Sequence, residues 1–176
     1  MSQYSGYIIP ECFIDTMLTQ FLLGSRVNHQ HSCNNVVKVM RTNYKEDFAV
    51  GIIDNDKHGV SYLQEFQLLG QTKHLNFYSH AHGMHYIITI SPAMDRFIMD
   101  CANEMQNSLG NFGLPTTLKE FTHLTKDEKI LSDRRIIQLL SAIQGHGEIE
   151  KLKNVLSYLL QTRYNASIDE IKALVQ

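Results

Sequence analysis

The stretch Phe48 to Lys57, FAVGIIDNDK, decides how the rest of the chain is read. Ala49, Val50, Gly51, Ile52 and Ile53 form a short, uninterrupted apolar run, as expected of a strand buried on both faces of a parallel sheet. The run stops at Asp54, and Asp56 follows two residues later. In open α/β sheets, ligands bind just beyond the carboxyl ends of the strands. Two carboxylates placed there repel each other, and a cation between them relieves the repulsion. Taken alone, DND is equally an acidic turn that ends a strand, because Asp and Asn favour turns.

Moving outward from this strand, Tyr7, Ile8 and Ile9 form an earlier apolar run that Pro10 breaks and Glu11 follows. Phe13, Met17, Leu18, Phe21 and Leu22 recur at helical spacing, with Gly24 as the stop. Val27 to Cys33 holds a short second strand, and Asn35 to Asn43 a second helix. After the acidic turn, the spacing predicts a helix over Val60 to Leu69, stopped by Gly70. Leu75 to Tyr78 and Tyr86 to Ile90 read as strands around the loop SHAHGMH, and Pro92 to Met105 reads as a helix with Pro92 in its first turn. This alternation predicts an α/β fold, a three-layer, mainly parallel sheet over residues 1–109.

From Gly110 onward every periodic segment is helical. Leu118 to Leu124, Asp127 to Ile143 and Glu148 to Tyr164 are amphipathic, and Ser167 caps a last helix with Glu170 three residues later. Residues 110–176 are therefore expected to form a C-terminal helical extension. Its Leu and Ile seams are core first and a dimer or partner surface second.

The whole chain has 176 residues, 43% hydrophobic and 19% charged, with a formal net charge of -2. That composition supports a real core and gives no global attraction to nucleic acid or membrane; a local basic patch remains compatible with it. The three cysteines, Cys12, Cys33 and Cys101, form no CxxC pair and read as reduced thiols. With no signal peptide and no membrane-length apolar run, the expected location is the cytoplasm.

Glu11 is a second acid at the end of a second strand, and Asp15 follows one helical turn later. Carboxylates converging at one sheet edge suit a hard divalent cation, Mg²⁺ or Mn²⁺. The combination of E-x-x-x-D at Glu11 to Asp15 with a later strand ending in D-x-D at Asp54 and Asp56 resembles the Toprim domain of topoisomerases, bacterial primases and overcoming-lysogenization-defect (OLD) family nucleases. SPAMDRFIMD adds to this, since it is similar to a helix motif of the OLD type with Asp95 in place of glutamate. Cys12 stands where that family usually has glycine. The likeness spans roughly residues 7 to 105. It implies that Glu11, Asp54 and Asp56 hold metal, with Asp15 and Asp95 as further metal-site residues, Asp95 through water; Lys57 is read either as neutralising a phosphate or as a solvated lysine at the strand end. It also implies that the metal polarises a phosphodiester and helps generate the attacking hydroxide. The partner implied is nucleic acid, with a homodimer or a separately encoded partner meeting the C-terminal helices.

Three other patterns compete for the same residues or for nearby ones. DNDKHGVSYLQE matches much of a calcium loop, from Asp54 to Glu65, although that pattern needs helices on both sides. D-x-D also begins the haloacid-dehalogenase phosphotransferase motif, in which the first aspartate is a nucleophile. His80, His82 and His85, together with His29, His31 and Cys33, could assemble a zinc site. A non-catalytic module that keeps the acidic cluster is the alternative to a nuclease.

Overall fold

The computed structural model describes residues 4–55 and 60–176 and is an α/β structure with a mixed sheet and C-terminal helices. Among these residues, the five-stranded sheet runs in the order β2 (Ile8–Pro10), β4 (Ala49–Asp54), β7 (His85–Ile90), β6 (Leu75–His80) and β5 (Phe66–Gln71). The first three strands are parallel, and β6 is antiparallel to both of its neighbours. Next to β2, the short strands β1 (Tyr4–Ser5) and β3 (Arg26–Val27) pair in parallel. The chain after β3 continues along β2, where Asn28 N donates to Ile8 O and Gln30 N to Pro10 O, each at 2.9 Å.

Side chains alternate along the strands and divide the core between the two faces. Ile8, Val50, Ile52 and Ile88 belong to one apolar cluster with residues of helices α1 (Phe13–Leu23), α3 (Met94–Glu104), α5 (Arg134–Ile143) and α6 (Gly147–Thr162). Ile9, Ala49, Ile53 and Ile87 belong to the other, with Val36 and Met40 of α2 (Cys33–Asn43). The glycine in FAVGII has a packing reason. A Cβ at Gly51 would lie 2.8 Å from Met40 Sδ and 3.0 Å from Val36 Cγ1, so its absence lets α2 sit close on β4.

Several elements form where their local chemistry places them. The α1 helix ends at Gly24, which has a φ of 62° and donates its N–H to Gln20 O at 2.9 Å. Ser167 accepts from Glu170 N at the start of α7 (Ile168–Val175). Some expectations fail. Pro92 lies before α3, whose N-cap is Ala93, and so is not in the first helical turn. Residues 60–69 form a 3-10 turn at Ser61–Glu65 and then β5, not one helix. A short apolar run is ambiguous between helix and strand, and pairing with β6 decides it here. Gly70 is covered by α7, since a Cβ there would lie 2.8 Å from Val175 Cγ1. The helix expected over 127–143 is also interrupted. Asp127 and Asp133 accept from the N–H groups of Lys129 and Arg135 at 2.9 Å, which leaves a 3-10 turn at Glu128–Ser132 before α5.

A polar knot ties α6 to the sheet. His74, in the turn between β5 and β6, faces Glu148 of α6 through Nδ1 at 2.6 Å and Asp100 of α3 through Nε2 at 3.1 Å. Glu148 also accepts from His74 N at 2.9 Å and from the Thr72 hydroxyl, while Arg96 pairs with Asp100 at 3.0 Å. Among the described residues, no helix is long and apolar enough to cross a membrane.

Candidate functional site at the carboxyl edge of the sheet

The parallel strands β2 and β4 end side by side, which brings their terminal acids together. Glu11 N donates to Ile52 O at 3.0 Å, and Asp54 N donates back to Glu11 Oε2 at 3.0 Å. Asp54 Oδ1 accepts from Met94 N at 3.0 Å, at the start of α3, where a helix N-terminus favours a carboxylate. Asp15, in the first turn of α1, is fully buried, and its Oδ2 accepts from Cys12 N at 3.1 Å. Its other oxygen is buried without a hydrogen-bond partner among the described residues.

The electrostatics follow from this crowding. Burial, and then the charges of Asp54 and Glu11, hold the Asp15 carboxyl well above the usual carboxylate range. Burial and the neighbouring Asp15 push the Cys12 thiol up, so Cys12 is no thiolate nucleophile. A carboxylate with a raised value binds its proton more tightly folded than unfolded. Its contribution to stability is therefore greatest at low pH and declines as pH climbs from the ordinary 3.8 toward the raised value. Asp15→Asn removes this penalty. In EDTA at neutral pH the variant should melt above wild type. A variant that melts below wild type in EDTA would show that the hydrogen bond to Cys12 outweighs the charge.

A crevice of about 560 Å³ opens at this edge. Asp54, Cys12, Phe13, His29 and His31 line it, together with Asp95 and Arg96 of α3 and Thr125 and Lys126 at the end of α4 (Leu118–Thr125) and just beyond it. Asp95 thus reaches the crevice, but its Oδ1 accepts from the Thr125 hydroxyl at 2.6 Å, linking α3 to α4. His29 stacks on Phe13 with ring centroids 4.5 Å apart, and Thr16 Oγ1 lies 2.8 Å from its Nδ1. Burial first, and then His31, lower the His29 value, favouring a neutral ring.

The sequence-predicted residues therefore divide. Glu11, Asp15 and Asp54 come together, and Asp95 stands on the crevice wall. Asp56 and Lys57 lie outside the described residues, as do His58 and Gly59 of the calcium-loop pattern. That pattern is preceded by strand β4 and followed by strand β5, not by two helices. The zinc constellation does not converge. His85 pairs with Ala49 at the start of β4, while Asp54 pairs with Ile90 at its end, so the HAHGMH loop and the acids occupy opposite ends of the sheet. His80 and His85 also use both ring nitrogens locally. His80 faces His82 N at 3.1 Å and Glu65 at 3.2 Å, and His85 faces Tyr62 at 2.7 Å and Tyr44 O at 2.8 Å. Arg96, Thr16 and Lys126 carry no sequence signal beyond residue type.

The hard oxygens of Glu11, Asp54 and Asp15 suit a divalent cation in chemistry, and the buried, unpartnered oxygen of Asp15 is an acceptor one would satisfy. Among the described residues, however, no three His, Cys, Asp or Glu side chains are placed to hold one ion together. An ion here would be completed by water, as Mg²⁺ sites commonly are, or by a residue outside them, for which Asp56 is the sequence candidate. Comparison with family profiles, curated proteins and solved structures returned no match.

Proposed function

We propose that this chain is a Toprim-like, Mg²⁺- or Mn²⁺-dependent hydrolase of nucleic-acid phosphodiesters. The observation that carries the reading is the junction of Glu11 and Asp54. Two acids 43 residues apart in sequence are locked together by the 3.0 Å bond from Asp54 N to Glu11 Oε2 at the carboxyl edge of adjacent parallel strands. On this reading the sheet is the Rossmann-like, three-layer kind, whose binding crevice lies at that edge. Support comes from the strand succession, in which β3 lies beside β1 and β2, then β4, then β7.

In this reading Glu11, Asp54 and Asp56 hold the cation, with Asp15 behind them. A bound divalent ion supplies Lewis-acid polarisation of a phosphoryl oxygen. Arg96 and Lys126, on the same crevice, complement the negative charge of the phosphodiester. A phosphate-neutralising role for Lys57 belongs to the same proposal.

The second reading is a non-catalytic nucleic-acid-binding or regulatory module of the same fold. It is favoured by the absence, among the described residues, of three side chains placed around one ion, and by the backbone N–H groups already bonded to Glu11 and Asp54. Incubation of plasmid and single-stranded DNA with the protein and Mn²⁺ or Mg²⁺, wild type against Asp54→Asn, separates the two. The nuclease reading expects metal-dependent cleavage that falls by about 100-fold or more in the variant, as loss of a residue central to transition-state electrostatics does. Cleavage indifferent to the change would sink it. Binding of DNA without cleavage would favour the second reading.

A further inference from the structure

The crevice holds one side chain whose protonation pattern is set by its neighbours. Thr16 Oγ1 donates to the Cys12 carbonyl at 2.8 Å, the usual back-bond of a helical threonine. Its single proton is then committed, so in the 2.8 Å contact with His29 the hydroxyl oxygen can only accept. The ring proton of His29 therefore sits on Nδ1, and Nε2 presents a bare lone pair. That atom is buried and has no hydrogen-bond partner among the described residues. A buried acceptor left unsatisfied calls for an occupant or a chemical role. The ring is held from two further sides. Phe13 stacks on it at an interplanar angle of 13°, and the ring of exposed His31 stands perpendicular to it, centroids 4.7 Å apart. Phe13, His29, His31 and Asp54 share the crevice wall.

We propose that His29 is the general base of this crevice, an assignment that rests on the phosphodiesterase reading above. Entry of substrate displaces the exposed His31 ring and brings a water to Nε2. The water gives one proton to Nε2, and an oxygen lone pair forms the new P–O bond. The scissile P–O bond breaks with its electron pair going to the departing oxygen, which takes a proton from solvent. His29 then returns its proton to solvent, and Thr16 acts as the positioning residue that keeps Nδ1 protonated.

Nitrogen-15 NMR of the full chain labelled at histidine, with His29→Gln used for assignment, reads the tautomer without substrate or metal. The expected result is a neutral ring with its proton on Nδ1, lost to a tautomer mixture in Thr16→Val and restored in Thr16→Ser. A proton on Nε2 overturns the assignment whatever the activity. In the DNA cleavage assay, His29→Gln should lower the rate by about 10²–10⁴-fold, the usual contribution of a general base, while keeping the wild-type melting temperature and its response to Mn²⁺. An active wild type with a His29→Gln rate within about threefold of it, far short of that contribution, overturns the base alone. A wild type that cleaves nothing overturns the hydrolase reading and the base with it.

Discussion

His74→Ala should lose about 1.5–3 kcal/mol of folding stability, the range for removing a hydrogen-bond partner from charged groups. The side chain is nearly buried, and each of its ring nitrogens meets a carboxylate, Glu148 at 2.6 Å and Asp100 at 3.1 Å. Those acids come from different helices, so the imidazole joins α6, α3 and the β5–β6 turn at one point. Without it, Glu148 retains Thr72 and the backbone N–H of residue 74, and Asp100 retains Arg96, but each loses an inward-facing partner. The effect has a defined pH signature. Burial works against ionisation of Glu148, yet hydrogen bonds from His74 and Thr72 outweigh it and hold the carboxyl below its ordinary 4.5. Asp100 lies below its ordinary 3.8 in the same way, with burial outweighed by His74 and Arg96. Carboxylates with lowered values stabilise the fold above their unfolded values and cease to do so as pH falls through the folded ones. Urea unfolding at pH 7 should therefore show the full deficit of His74→Ala, and the gap to wild type should narrow below about pH 4. A deficit under about 1 kcal/mol at pH 7 would place the knot among solvent-screened surface pairs instead.

Phe121→Ala should cost about 3–5 kcal/mol, the range for emptying a buried aromatic site. It should also lower a single unfolding transition for the whole chain. Phe121 is in α4, within the helical part that begins at Gly110, and is fully buried. It belongs to the same apolar cluster as Ile8, Val50 and Ile52 of the sheet and Leu152 and Leu156 of α6. A cavity there removes contacts from one shared core, so sheet and helices should melt together. Thermal unfolding followed by far-ultraviolet circular dichroism and by tyrosine fluorescence checks this. Two separated transitions, with only the helical one displaced, would show that the helices fold as a unit of their own.

Legibility from sequence varies with the range of the interaction responsible. Elements whose cause is local are readable: β4 from its continuous apolar run, the end of α1 from Gly24, the start of α7 from Ser167 and Glu170. Elements whose cause is a distant partner are not. Phe66 to Gln71 is a strand because β6 lies alongside it, and its own residues fit a helix as well. The helical reading of 127–143 fails for a nearer reason, the competition of two aspartate side chains for backbone N–H groups.

The candidate site divides in the same way. Acids at strand ends are a local pattern, so Glu11 and Asp54 stand out from their neighbouring residues alone. Their contact, and the burial of Asp15 beside them, depend on β2 lying directly against β4. The histidines show the limit most plainly, since HQHSC and HAHGMH are equally suggestive as strings. The fold sends His29 and His31 to the acidic edge and spends His80 and His85 on local hydrogen bonds at the other end of the sheet.

By itself, then, the sequence determined which segments bury themselves, where α1 stops and α7 starts, and that two strands end in acids. Those properties follow from periodicity, side-chain volume and capping, all of which act within a few residues. Tertiary structure alone decided strand order and register, which acids meet and which histidines line the crevice. It also brought Thr16 Oγ1 to within 2.8 Å of Nδ1 of His29, 13 residues away in the chain. The physical reason is that burial and hydrogen-bond partners are properties of position in space, and chain spacing does not encode them.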